Sequence, residues 1–399
     1  MRVLIDYRPA LSDRSGAGEY THQLVRALLA AYPPAGPASG TNGALALTVF
    51  SSSWKDRLAD PPELRGARAI DRRVPVRLLN FAWHRLGWPP VERLTGLDFD
   101  VTHSSHPLLL PSRRAAQIIT IHDLYFLAHP ERTRAEIRRD YPALVRDHAH
   151  RASRILVPSQ FTAVEVERRL GVAAERIAIC PPGAPDWTPR ETLPSGGYIL
   201  FFGTLEPRKN IGGLLDAYER LLGNNPPNRL RQGSGAQGGG HHVSLVLAGK
   251  VTDEARPWLE RINRPPLAGH VRHIGYVEPA DRQTLYAGAR LLVMPSFEEG
   301  FGIPVLEAMT FGVPVVASAR GSLPEVLGDA GPLVNPDEPD EIAGAMARLL
   351  DNDAFAAACA AKGVLRARLF SWNRTARLVY EVYRQAVEDH RSGGGGRTR

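Results

Sequence analysis

The chain has little cysteine, little lysine and no long apolar run, and each shortage excludes something. Cys180 and Cys359 are its only thiols, each without a neighbour at a zinc-like spacing, so neither a disulfide framework nor a cysteine metal cage organises it. No stretch approaches the ~18 apolar residues of a membrane-spanning helix. The opening "MRVLIDYRPA" reaches Asp6 after one short apolar run, too brief and too polar for a secretory signal, so the expected location is cytoplasmic. Aromatic-basic repeats and recognised nucleic-acid motifs are missing, which argues against nucleic acid as a partner.

What is present is ordinary globular composition, 43% hydrophobic and 23% charged. At 399 residues two domains are expected. The net charge of +7 is unevenly placed: residues 1–180 hold 25 Lys+Arg against 18 Asp+Glu, and residues 181–399 hold 24 against 24. Arginine clusters such as "DRRVPVR" (71–77), "PSRR" (111–114) and "ERTRAEIRRD" (131–140) carry the excess. Two readings remain open. One is a solvated basic surface; the other is a face for an anionic partner, a phosphorylated acceptor or peripheral contact with anionic lipid at the inner membrane face.

Apolar runs alternate with helical patterns. "RVLIDY" (2–7), "ALALTVF" (44–50), "DVTHSS" (100–105), "QIITIHD" (117–123) and "RILVPS" (154–159) read as buried strands of a parallel sheet covered on both faces. The pattern restarts at "GYILFFG" (197–203), "VSLVLAG" (243–249), "VRHIGYV" (271–277), "RLLVMPS" (290–296) and "VPVVAS" (313–318). The fold class expected is α/β, two doubly wound Rossmann-like domains facing across a cleft, with ligand at the carboxyl ends of the strands. A Pro/Gly-rich linker at 180–197 separates a domain at 1–184 from one at 185–368. A helix at 369–390 is expected to pack back toward the first domain, and 391–399 to be a disordered tail. The polar inserts 33–44 and 223–242 read as loops.

Two motifs are decoys. Gly233, Gly235 and Gly238 spell a dinucleotide fingerprint, but they follow polar coil and precede a strand, the reverse of what that site requires. Asp98-Phe-Asp100 matches a metal-binding D-x-D, yet it enters a β-run without further hard oxygen ligands, so no metal is expected.

Other stretches carry chemistry. Gly16 and Gly18, after the first strand, allow backbone amides to approach a phosphate, although helix-start geometry alone also explains them. His122 ends a strand at the edge of the expected cleft. Arg208 and Lys209 precede a helix, where cations are electrostatically misplaced unless an anion joins them. In "SFEEGFGIPVLEAMTFG", Glu299 lies before a helix that Pro304 opens and Gly312 closes, and Glu307 one turn inside it. The helix dipole favours one acid there; two around a Gly-Phe-Gly turn point to a ligand.

This last stretch resembles the Glu, seven residues, Glu signature of family-4 retaining glycosyltransferases, and "GAGEYTHQL", "IHDL", "VPSQFT", "PPGA", "FGTLEPRKN", "LAGK", "GYV" and "GSLPEVLGDAG" follow in family order. The resemblance implies a GT-B fold, an acceptor-side first domain and a nucleotide-sugar-binding second domain. It implies Glu299 on the donor sugar, Glu307 on the ribose hydroxyls, and amides of Gly300, Phe301, Gly302 and Ile303 on sugar and diphosphate. Lys209 with Arg208 would neutralise the leaving diphosphate, Gly16 and Gly18 would approach it, His122 would contact the sugar, and Tyr276 and Val277 would flank the base. Lys209, Glu299 and His122 form the catalytic set so implied, with no cofactor beyond the nucleotide-sugar substrate. Thr204 departs from the pattern, since many members have Arg there. Similarity to mannosyl and rhamnosyl transferases of surface polysaccharide assembly points first to GDP-mannose and a glycan or lipid-linked acceptor, with UDP-sugars as the alternative.

Competing classes fare worse. A nicotinamide oxidoreductase would need the rejected glycine loop, and a phosphorylase-like enzyme a pyridoxal lysine that none of Lys55, Lys209, Lys250 and Lys362 resembles. A non-catalytic nucleotide-sugar-binding protein would be expected to lack Lys209 or one of the two motif glutamates, and this chain has all three.

Overall fold

The computed structural model describes every residue except 13–15, 34–44, 55, 59–61, 129–134, 195, 225–242 and 394–399. The inserts at 33–44 and 223–242 and the decoy glycines therefore lie almost wholly outside the described residues. Met1–Gly183 with Ser371–Arg399 form one compact unit, and Ala184–Phe370 the other.

Unit 1 is a seven-stranded sheet of β1 (Arg2–Asp6), β2 (Ala46–Ser52), β3 (Arg68–Arg72), β4 (Val101–Ser104), β5 (Ala116–Thr120), β6 (Arg154–Val157) and β7 (Ile177–Ile179). Its order is β3-β2-β1-β4-β5-β6-β7, and every pairing is parallel. Unit 2 has β8 (Tyr198–Phe202), β9 (Ser244–Ala248), β10 (Val271–Gly275), β11 (Ala289–Met294), β12 (Val315–Ser318) and β13 (Leu333–Val334), again parallel, in the order β10-β9-β8-β11-β12-β13. Parallel strands need crossovers, and helices over both faces bury the central strands, which is why those read as unbroken apolar runs.

Both sheets reverse their strand order once, between β1 and β4 and between β8 and β11. The loops leaving such a pair diverge to opposite faces and open a crevice at the carboxyl ends, the usual ligand position in open α/β sheets.

The C-terminal helix runs Trp372–Gly393, three residues further than the sequence reading, so residues 391–393 are helix, and the rest of the expected tail, 394–399, lies outside the described residues. It belongs to unit 1 through Tyr380, stacked on Tyr32 at 3.9 Å, and Tyr383, whose hydroxyl lies 2.6 Å from His103 Nδ1. Thr375 Oγ1 donates to the Pro181 carbonyl at 2.5 Å. Cys180 is buried in unit 1 and Cys359 in unit 2; burial pushes the Cys180 thiol up to about 12, leaving it unreactive at neutral pH.

Candidate active site

The reversal between β8 and β11 brings two distant loops together. After β8 the chain passes Gly203 and turns through Pro207–Lys209 in a short 3-10 helix, and Asn210 adopts a left-handed conformation (φ 56°) before the helix Ile211–Asn224. The Asn210 side chain fixes that turn, donating to the Pro336 carbonyl at 2.6 Å and accepting from the Gly213 amide at 3.2 Å. After β11 the chain runs Pro295–Gly302 and enters the helix Ile303–Phe311.

Lys209 and Glu299 meet there. Lys209 Nζ donates to Glu299 Oε1 at 2.5 Å, and Arg208 Nη1 to Glu299 Oε2 at 3.2 Å. Ser296 Oγ adds a donor to Oε1 at 2.8 Å, and Arg208 Nε is held by Glu206 at 2.6 Å. Lys209 and Glu299 are both buried. Burial pushes the Glu299 carboxyl up, but the Lys209 and Arg208 charges outweigh it and hold Glu299 below the ordinary range. Burial and Arg208 push the Lys209 amine down, opposed by Glu299.

Backbone geometry locks the Glu299 loop. Ser322 donates to the Glu299 carbonyl from both its amide (3.1 Å) and its hydroxyl (2.9 Å). Gly321, at φ +64°, lies so close that a Cβ would stand 2.8 Å from the Glu299 amide nitrogen. Gly302 has φ +101°, and a Cβ there would meet Leu323 at 2.5 Å, so only glycine fits. Among the described residues, the amides of Phe301, Gly302 and Ile303 donate to no protein acceptor. They are the orphan donors of a helix start, suited to an anion or sugar oxygens. The Phe301 side chain is buried, edge-on to Phe370 at 5.6 Å, so this residue offers its amide alone.

Glu307 sits in the second turn of that helix and is buried. Arg282 Nη1 donates to its Oε1 at 3.1 Å and Tyr286 Oη to its Oε2 at 2.8 Å. An ionised carboxylate is an acceptor-only group whose oxygens each accept more than one hydrogen bond, which suits it to ligand hydroxyls. Sequence reasoning missed Arg282 and Tyr286. Their helix, Arg282–Ala287, carried no motif, and only a buried arginine on a short helix marks it.

Tyr276 and Val277 follow β10. The Tyr276 ring lies 4.7 Å below Lys250 Nζ, whereas the Val277 side chain is packed into the core of unit 2. In unit 1, Gly16 caps the helix Ala17–Ala31 at φ +52°. Gly18, expected in the loop, is instead buried in that helix's first turn, because the helix starts earlier than the glycine pattern implied. His122 is half-buried beyond β5, with Nε2 3.2 Å from the Ser105 carbonyl and its ring edge-on to Tyr20 at 4.9 Å. Burial pushes its pKa down, so it is neutral at pH 7, with Nε2 donating and Nδ1 open as an acceptor. The decoy acid Asp100 anchors the start of β1, accepting from the Arg2 amide at 2.7 Å.

Two Rossmann-like units, the second with buried cations and carboxylates at its strand reversal, define the GT-B class of glycosyltransferase folds. Residues 14–186 match the family described as Glycosyltransferase Family 4, and residues 196–352 match Glycosyl transferases group 1. O-antigen chain mannosyltransferase B of Escherichia coli is 34% identical over 287 residues, 69% of this chain and 72% of the relative. The chain belongs to the group 1, family 4 glycosyltransferases. In fold it is similar to sucrose-phosphate synthase of Thermosynechococcus elongatus, with a TM-score of 0.74 at 19% identity over 98% of this chain and 100% of the other. HepE of Anabaena, solved with UDP and glucose, gives 0.68 at 17% identity over 96% and 100%.

Proposed function

We propose that this glycosyltransferase moves a hexose from GDP-mannose to a glycan or lipid-linked acceptor, with retention of configuration, and needs neither a metal nor a cofactor. The observation that carries the reading is the Lys209–Glu299–Arg208 cluster beside the unpaired Phe301–Ile303 amides. A diphosphate leaving group needs positive charge and fixed donors where its own charge grows, and this loop pair provides both in a buried setting. The mannose preference rests on the Escherichia coli mannosyltransferase relative; UDP, present in the HepE structure, belongs to the second reading, a UDP-sugar donor.

In the proposed step the bond between the sugar's anomeric carbon and the diphosphate oxygen breaks, and that oxygen keeps the electron pair. The acceptor hydroxyl attacks the same carbon from the same face, and its proton passes to the departing phosphate. Lys209 and Arg208 stabilise the diphosphate, and Glu299 binds hydroxyls of the sugar. Gly300, Phe301, Gly302 and Ile303 offer amides, and Glu307 takes the ribose hydroxyls. Tyr276 flanks the base together with the backbone at Val277. In unit 1, Gly16 and Gly18 are assigned to the diphosphate and His122, neutral, to the donor sugar. The basic residues of unit 1 are assigned to an anionic membrane surface that presents the acceptor.

The test is transfer of labelled hexose from GDP-mannose or UDP-glucose to lipid-linked acceptor, with and without EDTA. Transfer from GDP-mannose that survives EDTA is expected. Loss of transfer with EDTA overturns metal independence, and transfer from UDP-glucose alone overturns the donor assignment.

A further inference from the structure

Unit 1 has a concave site that the proposed transfer step leaves unused. It is a pocket of about 240 Å³ between the segment 83–90 and the loop that leads into β5, and its walls include Trp83, Trp88, Arg113, Gln117, His148 and Arg151. Gln117 is the second residue of β5, and His148 and Arg151 end the helix before β6, so this side of the pocket lies near the amino-terminal ends of those strands. The Trp83 wall reaches toward the other end of the sheet. Arg8 lies over the Trp83 ring at 4.8 Å and pairs with Asp6, the last residue of β1, at 2.7 Å.

Two walls are aromatic. The Trp83 ring is buried and its Nε1 is spent on the Pro89 carbonyl at 2.9 Å, so it offers the pocket carbon alone. Trp88 is 50% exposed, and Arg93 lies over its ring at 5.5 Å, a cation-π contact that favours this placement of the ring. The polar groups of the same pocket are of both kinds. His148 is 3% exposed and its Nδ1 accepts from the Leu109 amide at 2.8 Å, so the atom it can offer a ligand is Nε2–H, a donor. Gln117 Nε2 donates to the Leu110 carbonyl at 2.6 Å, and among the described residues no group donates to its Oε1, an acceptor. The exposed Arg113 and Arg151 add donors, Arg151 while paired with Asp147 at 2.9 Å.

This combination discriminates between ligands. A hydrocarbon chain would cover the rings but strand His148 Nε2 and Gln117 Oε1 without partners, which is costly. A phosphate would use the donors and leave Gln117 Oε1 unserved. It would also meet a carboxylate beside the wall, since Glu92 accepts from Ser112 Oγ at 2.5 Å and from the Arg113 amide at 3.1 Å. A sugar ring suits every group: its hydroxyls donate and accept, and its C–H face packs on tryptophan. The volume is below the ~300–1,000 Å³ of drug-sized sites, which fits one hexose unit rather than a chain.

We propose that this pocket holds one hexose unit of the acceptor or product glycan, a unit behind the one that reacts, stacked on Trp88 and hydrogen-bonded to His148 Nε2 and Gln117 Oε1. No bond is made or broken there. A chain held at this second point stays at high effective concentration when its reacting end lets go, so the gain falls on glycans long enough to span both positions. The proposal rests on the reading of a glycan acceptor, and its binding test uses no donor, so the two can fail separately.

The experiment is isothermal titration calorimetry of the full chain with mannohexaose, mannobiose and inorganic phosphate, followed by transfer assays with the same two glycans as acceptors. The wild type is expected to bind mannohexaose. Trp88→Ala, which changes a half-exposed side chain, should weaken that binding by about tenfold at unchanged melting temperature, Trp88→Phe should keep most of it, and Glu299→Ala should not weaken it. In transfer, Trp88→Ala should raise the KM for mannohexaose by about tenfold, with kcat and the KM for mannobiose unchanged. Failure of the wild type to bind mannohexaose overturns the proposal. So does equal binding by wild type and Trp88→Ala, or phosphate binding that Trp88→Ala spares and Arg113→Ala abolishes. Mannohexaose binding that Trp88→Ala weakens, in a chain that transfers no sugar, supports the subsite and removes the transfer reading.

Discussion

Lys209 and Glu299, ninety residues apart in sequence, form a buried pair at 2.5 Å across the carboxyl ends of two adjacent parallel strands. The pair holds opposite charges where the strand order reverses, so a ligand that enters must share or displace it. On the proposed reading, an arriving diphosphate shares Lys209 and Arg208 with Glu299, and sugar hydroxyls add donors to that carboxylate.

Lys209→Ala should reduce transfer by about 10²–10³-fold, the typical cost of one lost donor to a developing anion. It should also destabilise. Breaking a buried pair from one side costs about 3–5 kcal/mol, and because Arg208 and Ser296 still hold Glu299 the loss should fall at or below the lower end. Lys209→Arg should recover more stability than activity. Steady-state kinetics with thermal melts check this, and an alanine variant with wild-type turnover contradicts the role.

Adjacent acids should behave differently. Glu299→Ala removes the carboxylate that Lys209, Arg208 and Ser296 converge on, and should abolish measurable transfer. Glu298 contributes its carbonyl to Arg208 at 3.3 Å, a contact that survives truncation of the side chain, so Glu298→Ala should keep most activity. Reversal of that order in a transfer assay would refute the assignment.

Arg282→Met should act on binding rather than chemistry. Arg282 and Tyr286 hold Glu307 through separate carboxylate oxygens, so the variant should raise the donor KM by about tenfold with a smaller change in kcat, the pattern of lost uniform binding. An unchanged KM would show that Glu307 is not oriented this way.

Stability should fall in mild acid. His103 is fully buried between Tyr383 and Thr120, and burial together with His122 pushes its pKa down to about 3. Burial and Arg151 push His148 down to about 4. An unfolded histidine titrates near ~6.5, so between roughly 4 and 6.5 the unfolded chain binds protons that the folded chain refuses. The contribution is complete above that unfolded value and is lost as pH falls. Urea melts of His148→Gln between pH 7 and 5 should show a slope shallower than wild type by up to about 1.4 kcal/mol per pH unit. Identical slopes would contradict it.

Sequence alone revealed the central strands and, of the four edge strands, only β10. β1, β8, β9 and β11 are apolar runs because both faces are covered, whereas β3 "RAIDR", β7 "IAI" and β13 "LV" lie at sheet edges with half-exposed side chains and no such run. Lys209 and Glu299 were each legible, one as a misplaced cation and one as a surplus acid at a helix start. Their contact was not, because it depends on β8 pairing with β11, a neighbour relation that no local pattern encodes. Arg282 stayed hidden for the same reason: its position opposite Glu307 comes from helix packing.

The most direct test of the central claim is a thermal melt of the wild type and of Glu307→Ala with GDP-mannose, UDP-glucose and other nucleotide sugars in turn. A ligand at a hundred times its Kd stabilises the folded state by about 2.7 kcal/mol, which should raise the wild-type melting temperature by several degrees with GDP-mannose and much less in the variant. A wild type whose melting temperature no nucleotide sugar raises would contradict the account.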